Sequence, residues 1–86
     1  MSTEARGRRE EATFPLALAG RGRPVRLAGV DGGRSLTHRL TSMGLTPGAV
    51  VEVVSHSLGG PMIVAVNQTR IMLGRGMANR IRVREA

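Results

Sequence analysis

Short runs of β-branched residues, separated by glycine and proline, constrain the fold of this 86-residue chain more than any other feature. The runs at 49–56, 62–66 and 69–73 read AVVEVVSH, MIVAV and TRIML, and each has the length and composition of a strand. Residues 25–30 and 80–84 alternate apolar and polar side chains in the same way. Consecutive short strands with Gly/Pro turns favour a small barrel, because closure removes unpaired edges. We therefore expect a mainly β fold with about five strands.

Asn67-Gln68 lies between two of these runs and is predicted to be a two-residue hairpin turn, although Asn-Gly is the commoner pair. That register places Val66 opposite Thr69 and gives the hairpin two distinct faces. The predicted core face carries Met62, Val64, Val66, Ile71 and Leu73. The opposite face carries Ile63, Ala65, Arg70 and Met72.

One helix is predicted over residues 34–43, between the first and second of these strands. Leu36, Leu40 and Met43 follow at i, i+4 and i+7 and form one apolar stripe. A helix this short is unstable alone, so the stripe is expected to pack on the sheet. The polar side carries Arg34, Thr37, His38 and Thr41.

The stretch LTSMGLTPGAVVEVV, residues 40–54, joins that helix to the next strand. Gly44 is predicted to end the helix with a positive φ, which glycine adopts at little steric cost. Leu45 is expected to fold back onto the core beside Leu40 or Met43, and Pro47-Gly48 to form the turn before the strand.

The remaining segments complete a single-domain prediction. Residues 1–13 alternate charges without an apolar period and are predicted to be a disordered tail, with the domain at 14–86. Residues 14–20 are expected to be an extended lead-in, and residues 74–79 a turn or one helical turn. There is no cysteine, no apolar run of membrane-spanning length and no signal-peptide core, so we expect a cytoplasmic protein.

The residues that common enzymes need are missing from this sequence. A phosphate-binding P-loop requires lysine, and all 13 basic residues are arginine. The two histidines, His38 and His56, have no helical neighbours or motif that would make a catalytic or metal site. We therefore predict no catalytic residue, no metal site and no cofactor. A metal-binding chaperone that uses these two histidines remains a weaker hypothesis.

The formal net charge of +7 leaves a second reading open, an arginine-rich small barrel that binds nucleic acid. Single-stranded nucleic acid is held on aromatic side chains, and Phe14 is the one aromatic residue of the sequence. Stable binding of nucleic acid is therefore not expected.

The order of these features resembles the FeoA family, small cytosolic accessory proteins of bacterial ferrous iron transport. The similarity runs from about Leu16 to Val83. The residues that carry it are Leu40, Met43-Gly44-Leu45, Pro47-Gly48, the valine-rich strand after them, GGPMIVAV, Ala78 and Ile81-Arg82-Val83.

The resemblance implies a small SH3-like β-barrel that performs no catalysis. It implies a partner-binding module that contacts the cytosolic part of the FeoB permease, with iron and GTP handled by FeoB. The family's domain also occurs in iron-dependent repressors, where it is fused to a DNA-binding domain. An SH3-like fold here does not imply recognition of proline-rich peptides, because that needs an aromatic-lined groove.

Three surfaces are candidates for partner binding, and the oligomeric state is left open. The first is the apolar pair Ile63 and Met72 beside Arg70, which the helix or residues 14–19 would hide if either packed there. The second is an outward row, Arg80, Arg82 and Arg84, which could equally serve to protect a strand edge. The third is the polar helix face with Arg34 and His38, which could equally be an ordinary solvated face.

Overall fold

The computed structural model describes residues 12–57 and 59–86. Its strands are β1 (Phe14–Pro15), β2 (Pro24–Val30), β3 (Val50–His56), β4 (Met62–Val66), β5 (Thr69–Leu73) and β6 (Ile81–Glu85). Its helices are α1 (Arg34–Ser42) and α2 (Arg75–Arg80), and Leu16–Leu18 forms a 3-10 turn. No helix in this part of the chain has the length and apolarity to cross a membrane.

The six strands form one antiparallel sheet in the order β1-β6-β2-β3-β4-β5. The last strand in sequence, β6, therefore lies between the first two, and β1 and β5 occupy the edges. The predicted first and second strands are β2 and β3, with α1 between them as expected. The sequence patterns did not reveal β1, which is only two residues long.

The β4–β5 hairpin has the predicted register, with Val66 opposite Thr69 and Met62 opposite Leu73. The turn residues Asn67 and Gln68 have φ values of 51° and 64°. Two successive positive φ angles define the type I′ turn, whose twist matches that of a hairpin. Asparagine tolerates this conformation better than glutamine does, so Gln68 is held there by the hairpin.

The C-terminus of α1 has the predicted geometry. Gly44 has a φ of +91°, and its N–H donates to the carbonyl of Thr41 at 3.0 Å. The N–H of Leu45 donates to the carbonyl of Leu40 at 2.9 Å. These two bonds make a Schellman motif, which satisfies carbonyls that the end of a helix leaves unpaired.

Met43 corrects the predicted apolar stripe. Leu40 and Leu45 are buried and Leu36 packs against the core, but the Met43 side chain is 40% exposed. The helix ends at Ser42, and the backbone of Met43, with φ −95° and ψ 4°, is no longer helical. The helical spacing therefore stops one residue before Met43, and Leu45 supplies the next core side chain.

Pro47-Gly48 forms the predicted turn before β3. The N–H of Ala49 donates to the carbonyl of Thr46 at 3.0 Å, and Gly48 has a φ of +93°. Proline followed by a residue of positive φ is typical of a type II turn. The turn is tied to β2, because the N–H of Gly48 donates to the carbonyl of Leu27 at 2.7 Å.

One hydrophobic core fills the fold, and the sheet supplies most of it. The predicted lead-in contributes to it unexpectedly, since Leu16, Ala17 and Ala19 are buried. The buried core residues are Leu16, Ala17, Ala19, Val25, Leu27, Leu40, Leu45, Val51, Val53, Met62, Val64, Val66, Leu73, Ala78, Ile81 and Val83.

Residues 75–80 form a short helix, the second of the two alternatives predicted for this segment, and it buries Ala78. Arg80 is its last residue, so the strand begins at Ile81 and not at Arg80 as predicted. Residues 1–11 of the predicted tail lie outside the described residues. Thr13 is anchored, because Arg82 Nε donates to Thr13 Oγ1 at 3.2 Å and Arg82 Nη2 to its carbonyl at 3.1 Å.

Candidate partner interface

The outer face of the β4–β5 hairpin brings together the first group of predicted site residues. Ile63 lies directly opposite Met72, and Ala65 lies opposite Arg70. Their side chains share one face because residues two apart in a strand point the same way. Met72 is 67% exposed, Arg70 is exposed and Ile63 is half-buried.

Neither α1 nor residues 14–19 hides Met72, because two thirds of its surface remains accessible. Residues 14–19 pack on the other side of the sheet, where Leu16, Ala17 and Ala19 join the core. Exposed methionine and arginine are typical of protein interfaces, because both combine a long apolar stem with an adaptable or charged end. The chemistry of this face therefore suits contact with a surface that is both apolar and acidic.

The same face continues across β3 to β2. Ser55 lies opposite Ile63, Glu52 lies opposite Ala65, and Val50 lies opposite Arg26. Val50 is 46% exposed and is not among the residues predicted for an interface. The signal was present in the alternation of AVVEVV, which places Val50 on the side of Glu52 and away from Val51 and Val53.

The predicted arginine row is not a single row. Arg80 ends α2 and borders a shallow groove that Leu36, Gly76 and Met77 also line. Its carbonyl accepts a 2.6 Å hydrogen bond from the N–H of Asp31, which brings the end of α2 to the end of β2. The alternation RIRVR did not indicate that Arg80 belongs to the helix, because no helix-breaking residue separates Arg80 from Ile81.

Arg82 and Arg84 do lie on β6, but their surroundings differ. Arg82 is half-buried, and its guanidinium donates two hydrogen bonds to Thr13. Arg84 is half-buried directly opposite Arg26 of β2. Like charges opposite each other repel, and Arg26 directs one nitrogen away to the carbonyl of Gly48 at 2.9 Å. Of these two residues, Arg84 is the better placed to meet an acidic partner.

Arg34 and His38 lie on the exposed side of α1, together with Thr41, as predicted for its polar face. The other histidine, His56, lies at the end of β3, where its Nε2–H donates to the carbonyl of Ala17 at 3.0 Å. In residues 12–57 and 59–86, no three His, Cys, Asp or Glu side chains are grouped so that they could hold a metal ion.

Comparison with known proteins gives a consistent result. The family model for the FeoA domain matches residues 14–85. The chain is 36% identical over 73 residues to a protein of Methanocaldococcus jannaschii that carries the name Fe(2+) transport protein A, covering 85% of this chain and 88% of that protein. The predicted strands and helix, and the residues around Gly44, fall within residues 14–85 of the family match.

Solved structures confirm the mainly β, SH3-like fold. A crystal structure of an iron uptake regulatory protein, FeoA, superposes with a TM-score of 0.80 at 36% identity, covering 87% of this chain and all of that one. A manganese-dependent transcriptional repressor superposes with a TM-score of 0.76 at 20% identity, covering 86% of this chain and 42% of the repressor. The second likeness shows a shared fold alone.

Proposed function

This chain belongs to the FeoA family, and on that premise we propose that it is an accessory protein of ferrous iron uptake that binds the cytosolic part of the FeoB permease. The role is non-catalytic and cytoplasmic. Binding places this chain beside the permease, while iron and GTP remain with the permease itself.

The observation that carries the proposal is the accessible apolar pair on the hairpin. Met72 is 67% exposed opposite half-buried Ile63, and Arg70 lies on the same strand and face as Met72. Interface energy concentrates where apolar side chains are fully desolvated by a partner, with charges at the rim. Arg70 at such a rim would raise the association rate and make it depend on salt.

A binding measurement with the purified cytosolic domain of the cognate FeoB tests this proposal. Met72→Glu should weaken binding about tenfold or more, because a carboxylate would be buried in the contact. Leu18→Glu is the matched control, since Leu18 is a comparably exposed apolar residue, at 72%, outside the hairpin face. Absence of binding by the unaltered chain at low salt, with normal ferrous uptake in a deletion strain, would refute the proposal.

The nucleic-acid alternative rests on net charge alone. Phe14, the one aromatic residue of the sequence, is half-buried and packs against the core, so its ring is not free to stack on a base. Binding driven by phosphate contacts falls steeply as salt rises. Retention of single-stranded or duplex oligonucleotides at about 50 mM salt, with no retention of the permease domain, would favour this alternative.

A further inference from the structure

The β5 strand is an open edge of the sheet. It is the last strand in the hydrogen-bonded order, and β4 is the element that packs extensively against it. Across a two-residue turn, the flanking residues exchange backbone hydrogen bonds, and bonded and non-bonded pairs then alternate. Thr69, Ile71 and Leu73 therefore direct their N–H and C=O groups to β4, whereas Arg70 and Met72 direct theirs outward.

These outward groups have no backbone partner from elsewhere in the described part of the chain. An edge of this kind is a template for a further strand, and folded proteins usually block it. The opposite edge is blocked, because β1 is only two residues long and its Pro15 has no N–H to donate. The β5 edge has five residues and contains no proline.

The side chains beside the β5 edge suit a partner strand that carries both an acidic and an apolar residue. Met72 presents exposed apolar surface next to its own outward N–H and C=O groups, with Ile63 behind it on β4. Arg70, two residues earlier on the same face, is the one charged residue of segment 62–73. A strand added at β5 would place one side chain near Arg70 and another, two residues along, against Met72.

Charge decides between the occupants that could pair there. A second copy of this chain would bring the same Arg70 and the same net charge of +7, so like charges would meet on one face. An acidic segment would instead meet Arg70 as an opposite charge, at an exposed site where both keep much of their hydration. The electrostatics favour the acidic segment.

We infer that the β5 edge binds an extended segment of the partner protein as an additional strand. The segment carries an acidic side chain at Arg70 and an apolar side chain against Met72. This rests on the proposed function and specifies how the partner is held: backbone hydrogen bonds to Arg70 and Met72 give affinity, and the alternate side chains give specificity.

Amide hydrogen exchange followed by NMR tests the inference directly, using the labelled full chain with the unlabelled cytosolic domain of FeoB. In the free chain, the amides of Arg70 and Met72 should exchange fast, while that of Ile71 is already protected by β4. Saturation with the partner should slow exchange at Arg70 and Met72 about tenfold or more, with little change at Ile71.

A pair of variants separates the backbone from the side chain at one position. Met72→Pro removes an N–H that the β4 ladder does not use, which an edge strand tolerates. Met72→Ala keeps that N–H and loses only the side chain. If the edge pairs with the partner, Met72→Pro should bind about three- to tenfold more weakly than Met72→Ala.

The outcomes separate the edge inference from the proposed partnership with the permease. A complex that forms without slowed exchange at Arg70 and Met72 overturns the edge inference and leaves the permease partnership standing. No complex at low salt overturns both. Protection of these amides in the concentrated chain without partner would assign the edge to a second copy and overturn the acidic segment.

Discussion

The N–H of Leu45 donates a 2.9 Å hydrogen bond to the carbonyl of Leu40, across the end of α1. That bond requires Gly44 to reverse the chain at a φ of +91°. Both leucines are buried, so this single reversal places the last core residue of the helix and the first core residue after it.

Gly44→Ala should lower the free energy of unfolding by about 1 kcal/mol or more, because the added Cβ disfavours positive φ. The new Cβ would lie 3.5 Å from Nδ2 of Asn67, an ordinary contact, so backbone strain accounts for the loss. Urea unfolding measures it. Gly76→Ala is the control: it lies in α2 with open space around its Cβ and should be neutral or stabilising. Equal stability of Gly44→Ala and the unaltered chain would contradict this account.

Leu45→Ala should cost about 2–5 kcal/mol, since it removes a side chain that is 1% exposed and leaves a cavity. Met43→Ala changes a neighbouring side chain that is 40% exposed and should cost well under half as much. Thermal or urea unfolding of both variants compares them. A larger loss at Met43 would show that the stripe predicted from helical spacing governs the packing after all.

Gln68→Gly should raise the free energy of unfolding by about 0.5–1 kcal/mol, because Gln68 has a φ of 64° in a type I′ turn that prefers Asn-Gly. Gln68→Ala keeps the strain of a Cβ at positive φ and should change stability little. Urea midpoints at constant slope decide the comparison. Destabilisation by glycine would mean that the Gln68 side chain contributes contacts that outweigh the strain.

Arg82→Ala should destabilise the chain by about 1 kcal/mol, because it removes both hydrogen bonds from the guanidinium to Thr13. Arg82→Lys keeps the charge but cannot bond two oxygens with the same planar geometry, so it should recover only part of the loss. Full recovery by lysine would assign the effect to charge and not to the bidentate contact. Unfolding curves of the three proteins provide the measurement.

Local patterns were sufficient to predict the hairpin and the end of α1. The period of two fixes which side chains of 62–66 and 69–73 share a face, and Gly44 identifies the reversal after the helix. The boundary between α2 and β6 was mispredicted because no local pattern marks it. Arg80 and Ile81 carry no breaker between them, and the strand starts where Ile81 pairs with Val30, far away in the sequence.

The candidate interface was predictable in part. The opposition of Ile63 and Met72 followed from a turn of two residues, and the structure adds that Met72 is uncovered. That β5 lies at an edge could not be read from the sequence, because it depends on the order of strands in space. The two roles of Arg82 and Arg84 likewise depend on Thr13 and Arg26, which lie in distant segments.

The position of β6 also constrains when the chain can fold during its synthesis. Both β1 and one side of β2 pair with β6, whose Ile81 and Val83 are wholly buried. Until these residues leave the ribosome, β1 has no strand partner and β2 can pair only with β3, so one side of β2 stays unpaired. The α1–β3–β4–β5 part can form local structure on the nascent chain, but the cooperative fold must wait for β6.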